Sequence, residues 1–237
     1  MEEDQFLRTR MLFGSEAVST LNKSRVAVFG VGGVGGYAVE VLARSGVGCI
    51  HLIDNDRVSI TNLNRQIVAL HSTIGQYKVD VAEKRIHDIN PACEVVTHKM
   101  FYLPENADEL NLGSFDYVID CIDTVSAKLE IIRRCHGLGV KLISSMGAAN
   151  KFDATAFRVA DIEKTTVDPL AKVIRKKLRK EGIKGVKVVF SEEEPQKSAD
   201  RNTPASNAFV PAAAGLVVGA EVVKDIIRSA NIISEKA

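Results

Sequence analysis

The stretch "RVAVFGVGGVGGYAVEVLARSGVGCIHLIDND", residues 25–56, decides the fold. VAVF is a continuous apolar run, the pattern of a strand covered on both faces. A glycine cluster follows, then apolar residues at helical spacing over 34–45, then a second strand, CIHLID, that ends in Asp54. Gly30, Gly32 and Gly35 satisfy G-x-G-x-x-G directly after a strand and at the start of a helix, with Gly33 beside them. In that context the glycines allow a tight turn, and the helix N-terminus presents unpaired N–H groups to a phosphate. A carboxylate at Asp54 can accept hydrogen bonds from a ribose hydroxyl. A bare strand–helix turn is the plain alternative, and the ordered strand, glycines, helix and aspartate argue against it. The motif points to a nucleotide without choosing between a dinucleotide and ATP.

Outward from this unit the alternation continues. A helix is expected over 78–89, with Val79, Ala82, Ile86 and Ile89 at helical spacing and Asn90-Pro91 as its stop. Strand 94–98, strand 117–121, helix 124–137 and strand 140–145 follow. Strands separated by helices predict an α/β fold, a doubly wound Rossmann-like and mostly parallel sheet. The later part is less regular. It holds a basic helix over 168–180, with Leu170, Val173, Ile174 and Leu178 on one side, and a strand in GVKVVFS. A polar, mobile loop over 191–207 precedes a helix from 211 to about 229. The small residues of that helix suggest close packing on the sheet or on a twin subunit. The chain of 237 residues reads as one domain, with a nucleotide-binding half over 1–150 and a substrate- and dimer-facing C-terminal extension over 151–237 packed on it.

Bulk properties exclude several classes. The net charge of +1 gives no global pull toward nucleic acid or membrane. MEEDQFLRTR lacks the apolar core of a secretory signal, and the apolar stretch at 209–223 is too short and too interrupted to span a bilayer. A cytoplasmic protein is expected. Cys49, Cys93, Cys121 and Cys135 form no C-x-x-C pair, so no structural zinc is expected. Cys49 and Cys121 sit in apolar strand-like runs and read as buried small hydrophobes.

The polar run after Asp54 has no evident use in a dehydrogenase. Asn62, Arg65, Gln66 and Lys78 could converge on phosphates if this arm folds back over the glycine turn, and Asp56 is a further candidate for binding the nucleotide. Arginine offers a planar fork and lysine a compact charge to phosphoryl oxygens. Singly, each residue favours a solvated loop with a helix-capping region. Asp123 follows strand 117–121 at the carboxyl edge, where ligands collect; capping helix 124–137 is its plain alternative, and Asp120 is a less favoured candidate.

"GVGGVG" at 30–35, "DNDRVSITNLNRQ" at 54–66, "GQYK" at 75–78 and "DCID" at 120–123, in this order, resemble the ThiF/MoeB/HesA superfamily, the bacterial relatives of ubiquitin-activating enzymes. The resemblance implies that ATP is split to an acyl adenylate and pyrophosphate. It implies that Asp54 binds the ribose, that Arg65 and Lys78 hold phosphates, and that Asp123 holds Mg²⁺. It also implies a homodimer in which Arg10, from "RTRMLFG", reaches the partner subunit's site; a surface arginine is the alternative. "SSMGAANKFDATAFRVADIEKTTVDPLAKVIRKKLRK" at 144–180 and "SNAFVPAAAGLVVGAEVVKDI" at 206–226 extend the likeness to the branch of tRNA threonylcarbamoyladenosine dehydratases. That branch activates the threonyl carboxylate of the modified adenosine and closes a ring on it. A sulfur-transfer system built on a cysteine desulfurase and a monovalent cation are further candidates for partner and cofactor. The competing member activity, adenylation of a Gly-Gly-ended carrier protein, usually comes with paired C-x-x-C motifs that are missing here. For a tRNA substrate the run 172–187 supplies the cations, with Lys172, Arg175, Lys176, Arg179 and Lys180 as contacts. A solvated helix face is the plain alternative. The central expectation is that the arm, Arg65, Lys78 and Asp123 meet at the α-phosphorus.

Overall fold

Strand β1 (Arg25–Phe29) is the centre of the molecule, with Val26, Ala27, Val28 and Phe29 fully buried. Such a strand needs cover on both faces, and the parallel sheet supplies it through helical crossovers. The computed structural model describes residues 3–198, 204–230 and 232. Around β1 lie β2 (Cys49–Ile53), β3 (Glu94–His98), β4 (Tyr117–Asp120), β5 (Lys141–Ser145), β6 (Phe157–Asp161) and β7 (Lys187–Ser191). The order is β3-β2-β1-β4-β5-β7-β6, parallel throughout except for the antiparallel β6–β7 pair. Strand order reverses between β1 and β4, and a crevice forms there at the carboxyl edge. The α/β expectation is met, and one sheet runs from residue 25 to residue 191.

The helices are α1 (Leu7–Phe13), α2 (Ser15–Lys23), α3 (Gly35–Ser45), α4 (Lys78–Ile89), α5 (Val125–Leu138), α6 (Pro169–Lys180) and α7 (Val210–Ser229). The anticipated helices begin and end within one residue of these. On one face, residues of α2, α3, α4 and α7 pack on Val26 and Val28. On the other, Phe115, Ile131 and Cys135 pack on Ala27, Phe29 and Val118. Helix α6 joins α5 in a third apolar cluster through Ala171, Ile174 and Leu178. Val173 does not take part; it is exposed, because the buried positions of α6 run 171, 174 and 178.

Three elements were not anticipated. Helices α1 and α2 precede β1, and β6 forms the antiparallel edge. The small residues of α7 are used within the chain. A Cβ on Gly215 would lie 2.2 Å from the Val34 carbonyl oxygen, and one on Gly219 would lie 2.6 Å from Val41 Cβ. Helix α7 therefore rests directly on α3, and its small residues no longer argue for a twin subunit. The polar 191–207 segment is pinned where it is described. Gln196 N–H donates to the Asn150 carbonyl at 2.7 Å, and Asn150 N–H donates to the Ala205 carbonyl at 2.8 Å. Residues 199–203 of that segment, and residues 1–2 of the N-terminal run, lie outside the described residues. Among the described residues no helix is long and apolar enough to cross a membrane.

Candidate active site

The crevice is built by the register of β1 with its two neighbours. Phe29 pairs with Ile53 on β2 and with Asp120 on β4. The glycine turn, Asp54 and the 121–124 segment therefore leave the sheet side by side. Gly30 takes φ +85°, and a Cβ there would stand 2.9 Å from the Cys121 carbonyl oxygen. No other residue combines the positive φ with that approach. Asp54 braces the turn: its Oδ2 accepts from Val31 N–H at 2.7 Å and its Oδ1 from Asp56 N–H at 2.8 Å. A carboxylate has about four lone-pair sites, so both oxygens keep capacity for ribose hydroxyls.

The polar arm folds back over the glycines. Arg65 Cγ lies 3.5 Å from where a Gly33 Cβ would sit, and Gln66 Nε2 lies 3.7 Å from the equivalent point at Gly32. A local turn sets this up. Ser59 N–H donates to Asn62 Oδ1 at 3.0 Å, and the Arg65 and Gln66 N–H groups donate to the Asn62 carbonyl at 3.1 and 2.9 Å. Asn62 is thus buried as a brace of the arm. Arg65 is half-buried, with Nη1 donating to the Thr61 carbonyl and Asn64 Oδ1, both at 2.9 Å. Among the described residues its Nε and Nη2 donors have no hydrogen-bond partner. Gln66 is buried, and its Oε1 has no partner among the described residues. An orphaned acceptor beside a glycine turn fits a site whose ligand brings the missing donor. Lys78 opens α4, is buried, and its ammonium meets Asp56 Oδ2 at 2.6 Å. Asp56 and Asp54 are themselves bonded, so Lys78 is tied to the turn through two carboxylates.

Asp123 is exposed and lies one residue beyond Ile122, whose backbone nitrogen is 3.3 Å from the same Gly30 Cβ position. It does not cap α5; Thr124 holds the N-cap position there, without a side-chain cap bond. Asp120, by contrast, is fully buried. Its Oδ2 accepts from Lys128 Nζ at 2.8 Å and from Ser144 Oγ at 2.6 Å, and its Oδ1 accepts from Ile122 N–H at 3.1 Å. This trio escaped sequence reading, although a lysine eight residues after an aspartate that ends a strand was a usable signal. Among the described residues no three His, Cys, Asp or Glu side chains gather to hold a metal. A single carboxylate suits Mg²⁺, which keeps its waters and takes its other ligands from phosphates. The Asp123 donor therefore fits that ion, and Asp120 is already engaged.

Cys121 faces the turn, half-buried, and burial with the Asp120 charge pushes its thiol up to about 12. A protonated thiol is a poor nucleophile, so Cys121 is not poised for covalent catalysis. Arg10, on α1, binds Asp4 through both guanidinium ends at 2.8 and 2.9 Å. On α6, Lys172, Lys176 and Lys180 are exposed. Arg175 is turned inward: it donates to the carbonyl of Thr165 at 2.9 Å and to the Thr165 hydroxyl. Arg179 forms a two-pronged pair with Glu163. The two arginines are held by their own chain, and the lysines carry the outward charge. A separate groove of about 1180 Å³, lined by Tyr117, Lys141, Lys187 and Asp225, opens at the amino edge of the sheet, away from the glycine turn.

A doubly wound sheet, a glycine turn at its switch point and a cationic arm folded over it define a nucleotide-binding domain of the adenylate-forming type. The ThiF family model matches residues 6–236, and the chain belongs to that family. It is 51% identical to the tRNA threonylcarbamoyladenosine dehydratase of Bacillus subtilis over 245 residues, covering 96% of each chain. It superposes on the E. coli tRNA N6-threonylcarbamoyladenosine dehydratase in complex with ATP with a TM-score of 0.90 and 35% identity, over 97% of this chain and 96% of that one. E. coli MccB with ATP shares the fold at a TM-score of 0.69 and 19% identity, over 96% of this chain and 64% of that one.

Proposed function

We propose that the protein uses ATP to dehydrate threonylcarbamoyladenosine in tRNA. The threonyl carboxylate attacks the α-phosphorus, pyrophosphate leaves, and an acyl adenylate forms. The neighbouring carbamoyl group attacks the activated carbon, loses a proton, and expels AMP as the ring closes. The carrying observation is the arm that sets Arg65 over Gly33, on a chain 51% identical over 96% of its length to a dehydratase of this name.

Charge builds on phosphoryl oxygens as the carboxylate attacks. Preorganised cations stabilise it without reorganising at the moment of reaction. Arg65 brings its unused donors, and Lys78 is held in place by Asp56. Asp54 and the glycine turn hold the ribose and phosphates, with Asn62 and Gln66 shaping the wall. Asp123 would hold Mg²⁺, which supplies charge neutralisation on the triphosphate when bound. Ring closure is intramolecular, so positioning supplies rate and no enzyme nucleophile is needed. That agrees with the high thiol pKa of Cys121, about 12. The acting species is a homodimer, in which Arg10 leaves its Asp4 partner to reach the partner subunit's site.

Incubation with ATP and tRNA carrying the modified adenosine is expected to yield AMP, pyrophosphate and a nucleoside lighter by one water, read by mass spectrometry with the ring preserved. AMP release that depends on a Gly-Gly-ended carrier protein instead would overturn this reading. Lys172, Lys176 and Lys180 of α6 serve as phosphate contacts. Changing all three to Glu is expected to weaken tRNA binding and flatten its salt dependence. Binding and slope equal to the unaltered protein would remove α6 from the interface.

A further inference from the structure

Two phenylalanines on the crevice rim have no role in the chemistry above. Phe152 is 69% exposed and Phe209 is 51% exposed. Their backbones are firmly held even though their rings meet solvent. The Asn207 side chain joins the two segments: Nδ2 donates to the Lys151 carbonyl at 2.9 Å, and Oδ1 accepts from Phe209 N–H at 3.2 Å and Val210 N–H at 2.9 Å. Asn150 adds a second tie, with Oδ1 accepting from Ala205 N–H at 2.8 Å. Phe152 N–H donates to the Glu193 carboxylate at 2.9 and 3.0 Å. Beneath it, buried Lys151 donates to the Glu193 carbonyl at 2.8 Å.

This ledge abuts the arm. The Ser206 carbonyl accepts from Asn64 Nδ2 at 3.2 Å, next to Arg65. Pro211 Cβ lies 3.2 Å from the Gly33 Cβ position, two residues after Phe209. Exposed aromatic rings on a well-braced backbone beside a phosphate-handling site are what unstacked RNA bases bind, because every base has a face to stack.

We propose that Phe152 and Phe209 form the stacking platform that receives a base of the single-stranded RNA loop and so delivers its carboxylate to the crevice. The proposal rests on the dehydratase reading. Both rings are therefore specificity determinants that act in ground state and transition state alike, and their loss raises KM with little change in kcat.

The test is the double variant Phe152→Ala/Phe209→Ala, assayed by AMP release against modified tRNA and by ATP titration. A rise in KM for tRNA of about tenfold or more is expected, since stacking on one ring is worth about that by alanine substitution. Affinity for ATP and the dimer's elution volume are expected to hold. The chain has no tryptophan, so Phe209→Trp installs a single reporter whose fluorescence should be quenched by modified tRNA. A wild-type KM in the double variant, or an unquenched Trp at saturating tRNA, overturns the platform while leaving the dehydratase reading intact. Loss of the dimer in the double variant also overturns it, because Phe209 and exposed Leu216 of α7 would then be covered by a second copy. An unaltered protein that releases no AMP with modified tRNA overturns both readings together.

Discussion

Lys128→Met is expected to destabilise the protein by about 3–5 kcal/mol, the cost of breaking a buried ion pair from one side. Lys128 is fully buried, with Nζ 2.8 Å from Asp120 Oδ2, 3.1 Å from Ser144 Oγ and 2.9 Å from the Ser145 carbonyl. Methionine fills much of the same volume, so packing is roughly kept and the stranded Asp120 charge dominates. That charge sits at the end of β4, one strand from the glycine turn. Urea unfolding measures the effect: the midpoint should fall with an unchanged slope. The double variant Asp120→Leu/Lys128→Met is expected to recover part of the loss, because replacing both partners by apolar groups is often neutral. A loss below about 1 kcal/mol in the single variant would show that water reaches the pair and that burial is not what makes it costly.

Arg65→Ala is expected to lower kcat by about a hundred- to a thousandfold, the effect of removing one donor aimed at developing charge. Unfolding should barely move, because the bonds Arg65 makes are local, to Thr61 and Asn64. Arg65→Lys should recover only part of the rate, since a point charge cannot reproduce a planar fork on phosphoryl oxygens. The measurement is single-turnover AMP release at saturating ATP and tRNA, beside a urea curve. A kcat within threefold of the unaltered protein would take Arg65 out of the reaction and leave it a brace of the arm.

Much of this was legible along the chain. The apolar run of β1 and the helical spacing in α3, α4 and α5 are local signals, and they placed those elements to within a residue. What was missed shares a different cause. Helix α1 is short, buries no residue and has no side-chain cap, so nothing in its own sequence marks it. Strand β6 alternates weakly, with Arg158 and Val159 exposed, and it exists because β7 offers it an antiparallel edge. The face of α6 was misjudged at Val173 because periodicity gives a stripe but not its centre. In the basic run, charge was readable; that Arg175 and Arg179 are held by Thr165 and Glu163 was not.

By itself the sequence determined the alternating strand–helix order, the position and conformational demand of the glycine turn, and the inventory of charged groups on the arm that follows it. Those are properties of neighbouring residues, set by sterics and periodicity. Only the tertiary structure decided which of two aspartates is available to a ligand. Pairing of β4 with β5 sets Ser144 against Asp120, and α5 packs back so that Lys128 compensates its charge in the core, while Asp123, three residues later, is left in solvent at the crevice. It also decided that α7 lies on α3 and that Phe152 and Phe209 share one ledge, because contacts between residues so far apart arise only when the sheet closes.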